Sequence, residues 1–256
     1  SWLAQEAWRV ICCSDYMASQ VNQLFSIPKE RIDTIPNGIN VEDYSAGSLT
    51  DFRKQFAEQD ERLVLFVGRL VYEKGVSILI DSVGKVLERV NAKLVVVGDG
   101  YMKDRLIDQA RRLGIGHKVY FTGFLDDETV KRMYRVADVF VVPSLYEPFG
   151  IVVLEAMASR TPVVVSGVGG PLEIVKHDET GVVVYPNNPE SLAWGILRVL
   201  TDDGYSRRIR ENAFTEVVNK YNWGSIAEKT MGVYQRVLDE YDKNPWKPPQ
   251  FLHSKR

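Results

Sequence analysis

Residues 63–75 read Leu63-Val64-Leu65-Phe66-Val67-Gly68-Arg69-Leu70-Val71-Tyr72-Glu73-Lys74-Gly75. An unbroken apolar run ends at Gly68, a short charged loop follows, and Gly75 opens an amphipathic stretch that continues through Arg89. A strand that is apolar on both faces is buried from both sides. That is the condition of a parallel sheet covered by helices. The stretch therefore reads as strand, glycine-bounded loop and helix.

The same unit recurs along the chain. Further candidate strands rich in Val and Ile span 8–13, 31–35, 93–97, 119–122, 139–142, 162–165 and 181–184. Candidate helices span 75–89, 101–113, 128–136, 151–159 and 172–176. Strand–helix alternation at this spacing predicts an α/β fold, a doubly wound, Rossmann-like parallel sheet of about six strands between residues 63 and 184. Residues 1–45 add a strand–helix–strand piece that ends in a turn at Pro36-Asn37-Gly38. Residues 46–60 are polar and contain glycine and serine, as a linker with a short helix would. The main domain covers 61–222. After Asn188-Pro189, a cap and first-turn pair, helices are expected over 190–200, 205–220 and 223–241. Residues 242–256 hold Pro245, Pro248 and Pro249 and read as an extended tail.

Bulk properties narrow the function. Of 256 residues, 45% are apolar and 26% charged, as in an ordinary globular protein with a real core. Lys and Arg number 32 against 34 Asp and Glu, so no basic footprint for nucleic acid exists apart from a short run at His253–Arg256. Any phosphate chemistry must come from local groups. Cys12 and Cys13 are adjacent, which suits two small buried fillers of a strand in a reducing cytoplasm better than a disulfide framework. No stretch approaches the roughly 18 apolar residues of a membrane span. The N-terminus shows no basic region followed by an apolar one, so no secretory signal is read there. His117, His177 and His253 are too scattered for a metal site, and no metal is expected.

In open α/β sheets, ligands sit beyond the carboxyl ends of the strands. Three glycine-containing loops there carry candidate chemistry. In the first, after Gly68, Arg69 offers a planar fork of donors and Lys74 a flexible ammonium, together able to neutralise a diphosphate. They are equally readable as surface charges, with Glu73 pairing one of them. In the second, Glu147-Pro148-Phe149-Gly150-Ile151 forms a sharp strand-to-helix turn that leaves free N–H groups at Gly150 and Ile151. Glu155 lies inside the following helix among apolar residues, where a carboxylate needs a partner. Sugar or ribose hydroxyls would serve. A helix-dipole charge at Glu147 and a satisfied internal Glu155 would serve as well. In the third loop, Ser166-Gly167-Val168-Gly169-Gly170-Pro171 lets backbone approach an anion closely. Gly98-Asp99-Gly100 lacks the third glycine of a dinucleotide fingerprint, and no phosphate-loop Gly-Lys-Ser/Thr motif occurs.

Taken together, three motifs resemble glycosyltransferase family 4 in order and spacing: Gly-Arg-Leu-x-x-Glu-Lys-Gly at 68–75, Glu-Pro-Phe-Gly with Glu155 four residues beyond Ile151, and Pro-Asn-Gly-Ile at 36–39. The likeness is greatest to the glycogen-synthase-like members, which are retaining enzymes of two Rossmann-like domains (the GT-B fold), and it runs from about residue 8 to 241. The resemblance implies that Arg69 and Lys74 grip a donor diphosphate. It implies that Gly68, Phe149, Gly150 and Ile151 present backbone to the donor sugar and phosphate, with the Gly169-Gly170 loop lining that site. Glu147 would bond sugar hydroxyls near the reacting carbon, Glu155 the ribose hydroxyls, and Leu125 the base through its backbone. Family members carry an N-terminal acceptor domain. Residues 1–45 then correspond to its last strand and helix, and 223–241 to the helix that crosses back to it.

The implied activity is transfer of a hexose, most simply glucose, from an ADP or UDP sugar to a glycan or other hydroxyl acceptor. No cofactor beyond the nucleotide sugar is expected. Two alternatives stand beside it. One is a nucleotide-sugar-binding or partner-binding module without its own catalysis. The other is an epimerase or phosphorylase relative, although no pyridoxal-phosphate lysine is identifiable.

Overall fold

A computed structural model describes residues 6–44 and 49–243. Its centre is a six-stranded sheet built from β3 (Arg62–Val67), β4 (Ala92–Val97), β5 (Val119–Gly123), β6 (Val139–Val142), β7 (Val163–Ser166) and β8 (Val182–Val184). The spatial order is β5-β4-β3-β6-β7-β8, and every neighbouring pair is parallel. The chain thus winds outward in one direction from β3, then returns to start again at β6. β3 and β6 are the pair where the winding reverses, so the crevice outside their carboxyl ends is where a ligand is expected.

Period-two alternation divides the core. On β3, Val64 and Phe66 pack with Leu79, Ile80 and Val83 of α3 (Val76–Leu87) and with Ile196 of α8 (Pro189–Thr201). Leu63 and Leu65 pack on the other face with Met133 of α5 (Asp127–Val136) and with Leu154 and Met157 of α6 (Ile151–Ala158). Two-sided burial is why β3 carries no polar face. Helix starts follow local chemistry. The Asp126 carboxylate accepts Thr129 N–H, and Asn188 Oδ1 accepts Ser191 N–H ahead of Pro189 at the first turn. The remaining helices of this part are α4 (Lys103–Arg112), α7 (Pro171–Ile174) and α9 (Asp203–Lys220).

The N-terminal residues form a second, two-stranded parallel sheet, β1 (Val10–Cys12) with β2 (Ile32–Thr34), connected through α1 (Asp15–Phe25). The final helix, α10 (Trp223–Lys243), lies against this piece. Ile226 and Val233 pack with Ile35, and Trp8 Nε1 donates to Glu240 Oε2 at 2.6 Å. Arg9 pairs with Asp33 at 2.7 Å.

Three expectations change. Residues 49–60 hold the expected short helix, but this segment is packed onto the main domain. α2 (Thr50–Arg53) holds Phe52 in the core under the Arg132 guanidinium, and Arg53 pairs with Asp138 at 2.7 Å. The polar composition hid an aromatic anchor. Cys13 is half-buried rather than a strand filler, because β1 stops at Cys12; its Sγ lies 3.7 Å from Met17 Sδ. The tail expected at 242–256 does not begin at 242, because α10 runs on to Lys243; residues 244–256, with His253, lie outside the described residues. Among the described residues, no helix is long and apolar enough to cross a membrane.

Candidate functional site

The loops after β3 and β6 meet at the reversal point. Gly75 has φ of 65°, and a Cβ built there would stand 2.0 Å from the Pro143 carbonyl oxygen. Only glycine lets the first loop lie on the end of β6 in this way. The contact is reinforced where Leu145 N–H donates to Glu73 O at 2.8 Å. The third loop closes on the second by the same means. Gly169 has φ of 62°, and its Cβ would fall 2.1 Å from Glu147 O. Gly170 N–H donates to that same oxygen at 3.0 Å. Gly68, at the end of β3, donates its N–H to Val97 O at 3.0 Å, which ties the first loop to the end of β4.

This convergence brings side chains together from positions far apart in sequence. Lys74 Nζ meets Glu147 Oε2 at 2.5 Å, with the carboxylate almost fully buried. Ser144, also buried, approaches the same oxygen with its hydroxyl at 3.4 Å. A charged pair in so dry a position is strongly coupled. Arg69, on the same loop as Lys74, is exposed and has no side-chain partner among the described residues. Gly150, φ 95°, precedes α6 and supplies no side-chain cap; Val153 N–H donates to Gly150 O at 2.9 Å, which leaves the N–H groups of Ile151 and Val152 at the uncapped end. Phe149 is buried behind that turn. A loose guanidinium, an ammonium held by a carboxylate, and uncapped helix N–H groups on one edge make an environment suited to a polyanion with hydroxyl groups.

Glu155 sits one turn further into α6 and belongs to a separate cluster. Its Oε2 accepts the Tyr134 hydroxyl at 2.8 Å, and Tyr44 also bonds it. Burial pushes the Glu155 carboxyl up from its usual range, opposed by the hydrogen bonds from Tyr134 and Tyr44. Burial beside this carboxylate raises both phenols as well. Leu125 lies at the end of β5, two strands from β3, hence roughly 10 Å along the sheet edge. It is half-buried against the core, and its neighbour Phe124 is 84% exposed.

The N-terminal piece reaches the same edge. Ser14 Oγ donates to Pro148 O at 2.5 Å, and the Glu173 carboxylate accepts the N–H groups of Asp15 and Tyr16 at 2.9 and 2.8 Å. Ser144, Tyr134, Tyr44, Ser14 and Glu173 were not among the sequence candidates. Only Ser144, two residues beyond β6 and three before Glu147, stood where a search by loops would have found it.

The model for "Glycosyl transferases group 1" matches residues 48–216, and "Glycosyltransferase Family 4" matches residues 1–43. The chain belongs to the glycosyl transferases group 1 family. An uncharacterised glycosyltransferase of Methanocaldococcus jannaschii is 47% identical over 239 residues, covering 91% of this chain and 61% of that protein. A glycogen synthase of Mycobacterium tuberculosis is 35% identical, covering 91% and 55%. Among solved structures, HepE of Anabaena in complex with UDP and glucose superposes with a TM-score of 0.86 at 26% identity, covering 91% of this chain and 65% of that one. The sucrose-phosphate synthase of Thermosynechococcus elongatus gives 0.83 at 30%, covering 92% and 60%. The chain thus spans between half and two thirds of the length of these relatives. Its parallel sheet and flanking helices are the GT-B type.

Proposed function

We propose that this group 1 chain binds a nucleoside diphosphate sugar and supplies the donor side of a retaining hexose transfer, with glucose from a UDP or ADP donor as the simplest case. The Lys74–Glu147 pair at the reversal point, beside the unpartnered Arg69 and the uncapped start of α6, carries this reading. The Anabaena relative solved with UDP and glucose supports it.

An arriving diphosphate meets Arg69, Lys74 and uncapped N–H groups whose charge and dipoles are already in place. Such fixed groups stabilise the charge that grows on a departing diphosphate without a metal. As the phosphates draw Lys74 toward them, Glu147 is released to accept sugar hydroxyls. Glu155 offers acceptors to the ribose, and Leu125 offers backbone to the base. The acceptor is a glycan or another hydroxyl compound, and the paucity of cysteine suits a cytoplasmic setting.

Calorimetry with UDP, ADP and their glucose conjugates tests the reading. Binding in the micromolar to millimolar range, weakened by Arg69→Ala, is the expected result. No heat with any of the four at millimolar concentration would overturn it.

A further inference from the structure

Glu155 is the carboxylate of the candidate site that the Lys74 cluster does not use, and it is held by two phenols. Tyr134, on α5, is wholly inaccessible to solvent. Its ring stands edge-on to Phe140 of β6 with centroids 5.0 Å apart, and its carbonyl accepts the Thr161 hydroxyl at 2.6 Å. The position of its own hydroxyl, 2.8 Å from Glu155 Oε2, is therefore fixed by core packing. Tyr44 comes from the single helical turn Val41–Tyr44, upstream of α2, and is buried in the same cluster. Charged groups around the carboxylate are Asp127 and Lys131 of α5, and Asp43 acts on Tyr44 and Lys131. Lys131 is itself paired with Glu128 at 2.6 Å.

A phenol has one proton to donate, and an ionised carboxylate has about four acceptor positions. Two phenols occupy two of them. About two remain, the number a vicinal diol can fill with its two hydroxyls. Nothing in packing alone calls for two buried tyrosines aimed at one glutamate, since burying that charge is costly.

We propose that Tyr44 and Tyr134 are positioning residues that orient Glu155 to accept both hydroxyls of a ribose, so that the chain discriminates ribonucleotides from 2′-deoxyribonucleotides. The inference rests on the donor-nucleotide reading above and adds the residues that enforce its sugar specificity. Because Tyr44 belongs to the N-terminal piece, it also makes ribose recognition depend on how residues 41–44 are seated.

The test is calorimetry with UDP and ADP, each against its 2′-deoxy counterpart, on the intact chain and on Tyr134→Phe and Tyr44→Phe. Phenylalanine keeps the ring and removes only the hydroxyl. The intact chain should prefer the ribonucleotide by about tenfold or more, as for a hydrogen bond to a charged group. Each variant should reduce that ratio several-fold while leaving affinity for inorganic pyrophosphate unchanged. In the intact chain the preference should also fall as pH drops and Glu155 becomes protonated, since a protonated carboxyl offers one acceptor fewer.

A merely structural role for the tyrosines would weaken both nucleotides equally and leave the ratio intact. A preference kept at full strength in both variants overturns the proposal while the donor reading stands. An intact chain that binds nucleotides without preference also overturns it. Failure to bind any nucleotide removes the donor reading and this proposal together. Should Tyr134→Phe fail to fold, Tyr44→Phe and the pH dependence of the intact chain still decide.

Discussion

Replacing Lys74 by methionine keeps the length of the side chain and deletes its charge. In the free protein this leaves Glu147, whose side chain is 9% exposed, without its cation 2.5 Å away. Breaking a buried pair from one side costs about 3–5 kcal/mol. The lysine side chain is 22% exposed, so part of the loss is recovered by water, and a cost of about 2 kcal/mol is the better figure. At roughly 2–4 °C per kcal/mol for a domain of this size, the melting temperature should fall by about 4–8 °C. Glu147→Gln in the same chain removes the stranded charge and should restore most of the loss, giving a strongly non-additive double-mutant cycle. Diphosphate binding should behave differently. A charge-assisted bond contributes about 1.5–3 kcal/mol, so UDP or ADP should bind roughly ten- to a hundredfold more weakly. Glutamine at 147 should not rescue that loss, because it returns no positive charge. Thermal melts and calorimetry on the four proteins separate the two effects. Additive melting shifts would refute the pairing, and an unchanged diphosphate affinity would refute the phosphate role of Lys74.

Arg69→Ala should weaken diphosphate binding by a similar factor yet leave the melting temperature within about 1 °C, since an exposed and unpartnered side chain contributes little to folding; a large drop in melting temperature would show that Arg69 has a structural partner. Gly169→Ala forces a Cβ to 2.1 Å from Glu147 O at a φ of 62°, and should cost more than about 1 kcal/mol and weaken UDP or ADP binding, checked by the same melts and titrations. Glu61 is buried. Although burial alone would raise its carboxyl, the hydrogen bond from Lys118 at 2.6 Å and the Glu58 N–H outweigh this and hold it below the ordinary value. A depressed acid contributes stability that is present above its unfolded pKa and lost as pH falls through the folded one. The acid limb of stability should therefore be shallower in Glu61→Gln, and an identical limb in both proteins would count against the pair.

The fold was legible because its signals are redundant. β3, β4, β6 and β7 are dominated by Val, Leu and Phe buried on both faces, and β3, β4 and β7 each end next to a glycine; the edge strand β5 departs from this, with Tyr120 exposed. Asn188-Pro189 announced its helix through capping chemistry that is local to the sequence. What resisted reading was burial decided by distant partners. Phe52 looked like one of several scattered apolar residues in a polar linker, because the Arg132 guanidinium and the core beneath it come from another part of the chain. Cys13 looked like its neighbour until the strand ended one residue earlier.

The site divides along the same line. Sequence could name the loops at 68–75, 147–151 and 166–171, since glycine and charge mark them. It could not pair Lys74 with Glu147, 73 positions apart, because that contact exists only when β3 and β6 lie side by side. Sheet order is thus the step that turns separate motifs into one site. The glycines then decide how closely the loops settle: with Gly75 on Pro143 and Gly169 on Glu147, the loops are seated by backbone contact before any ligand arrives. An anion entering there meets groups that need little reorganisation, which is what makes fixed charges effective. Glu155 shows the opposite case. It was conspicuous as a carboxylate in an apolar helix, yet its partners were invisible, because Tyr134 fits the buried face of α5 as any core aromatic would. Only the aim of its hydroxyl, set by the packing of its ring on Phe140, separates a tyrosine that fills the core from one that points a charge.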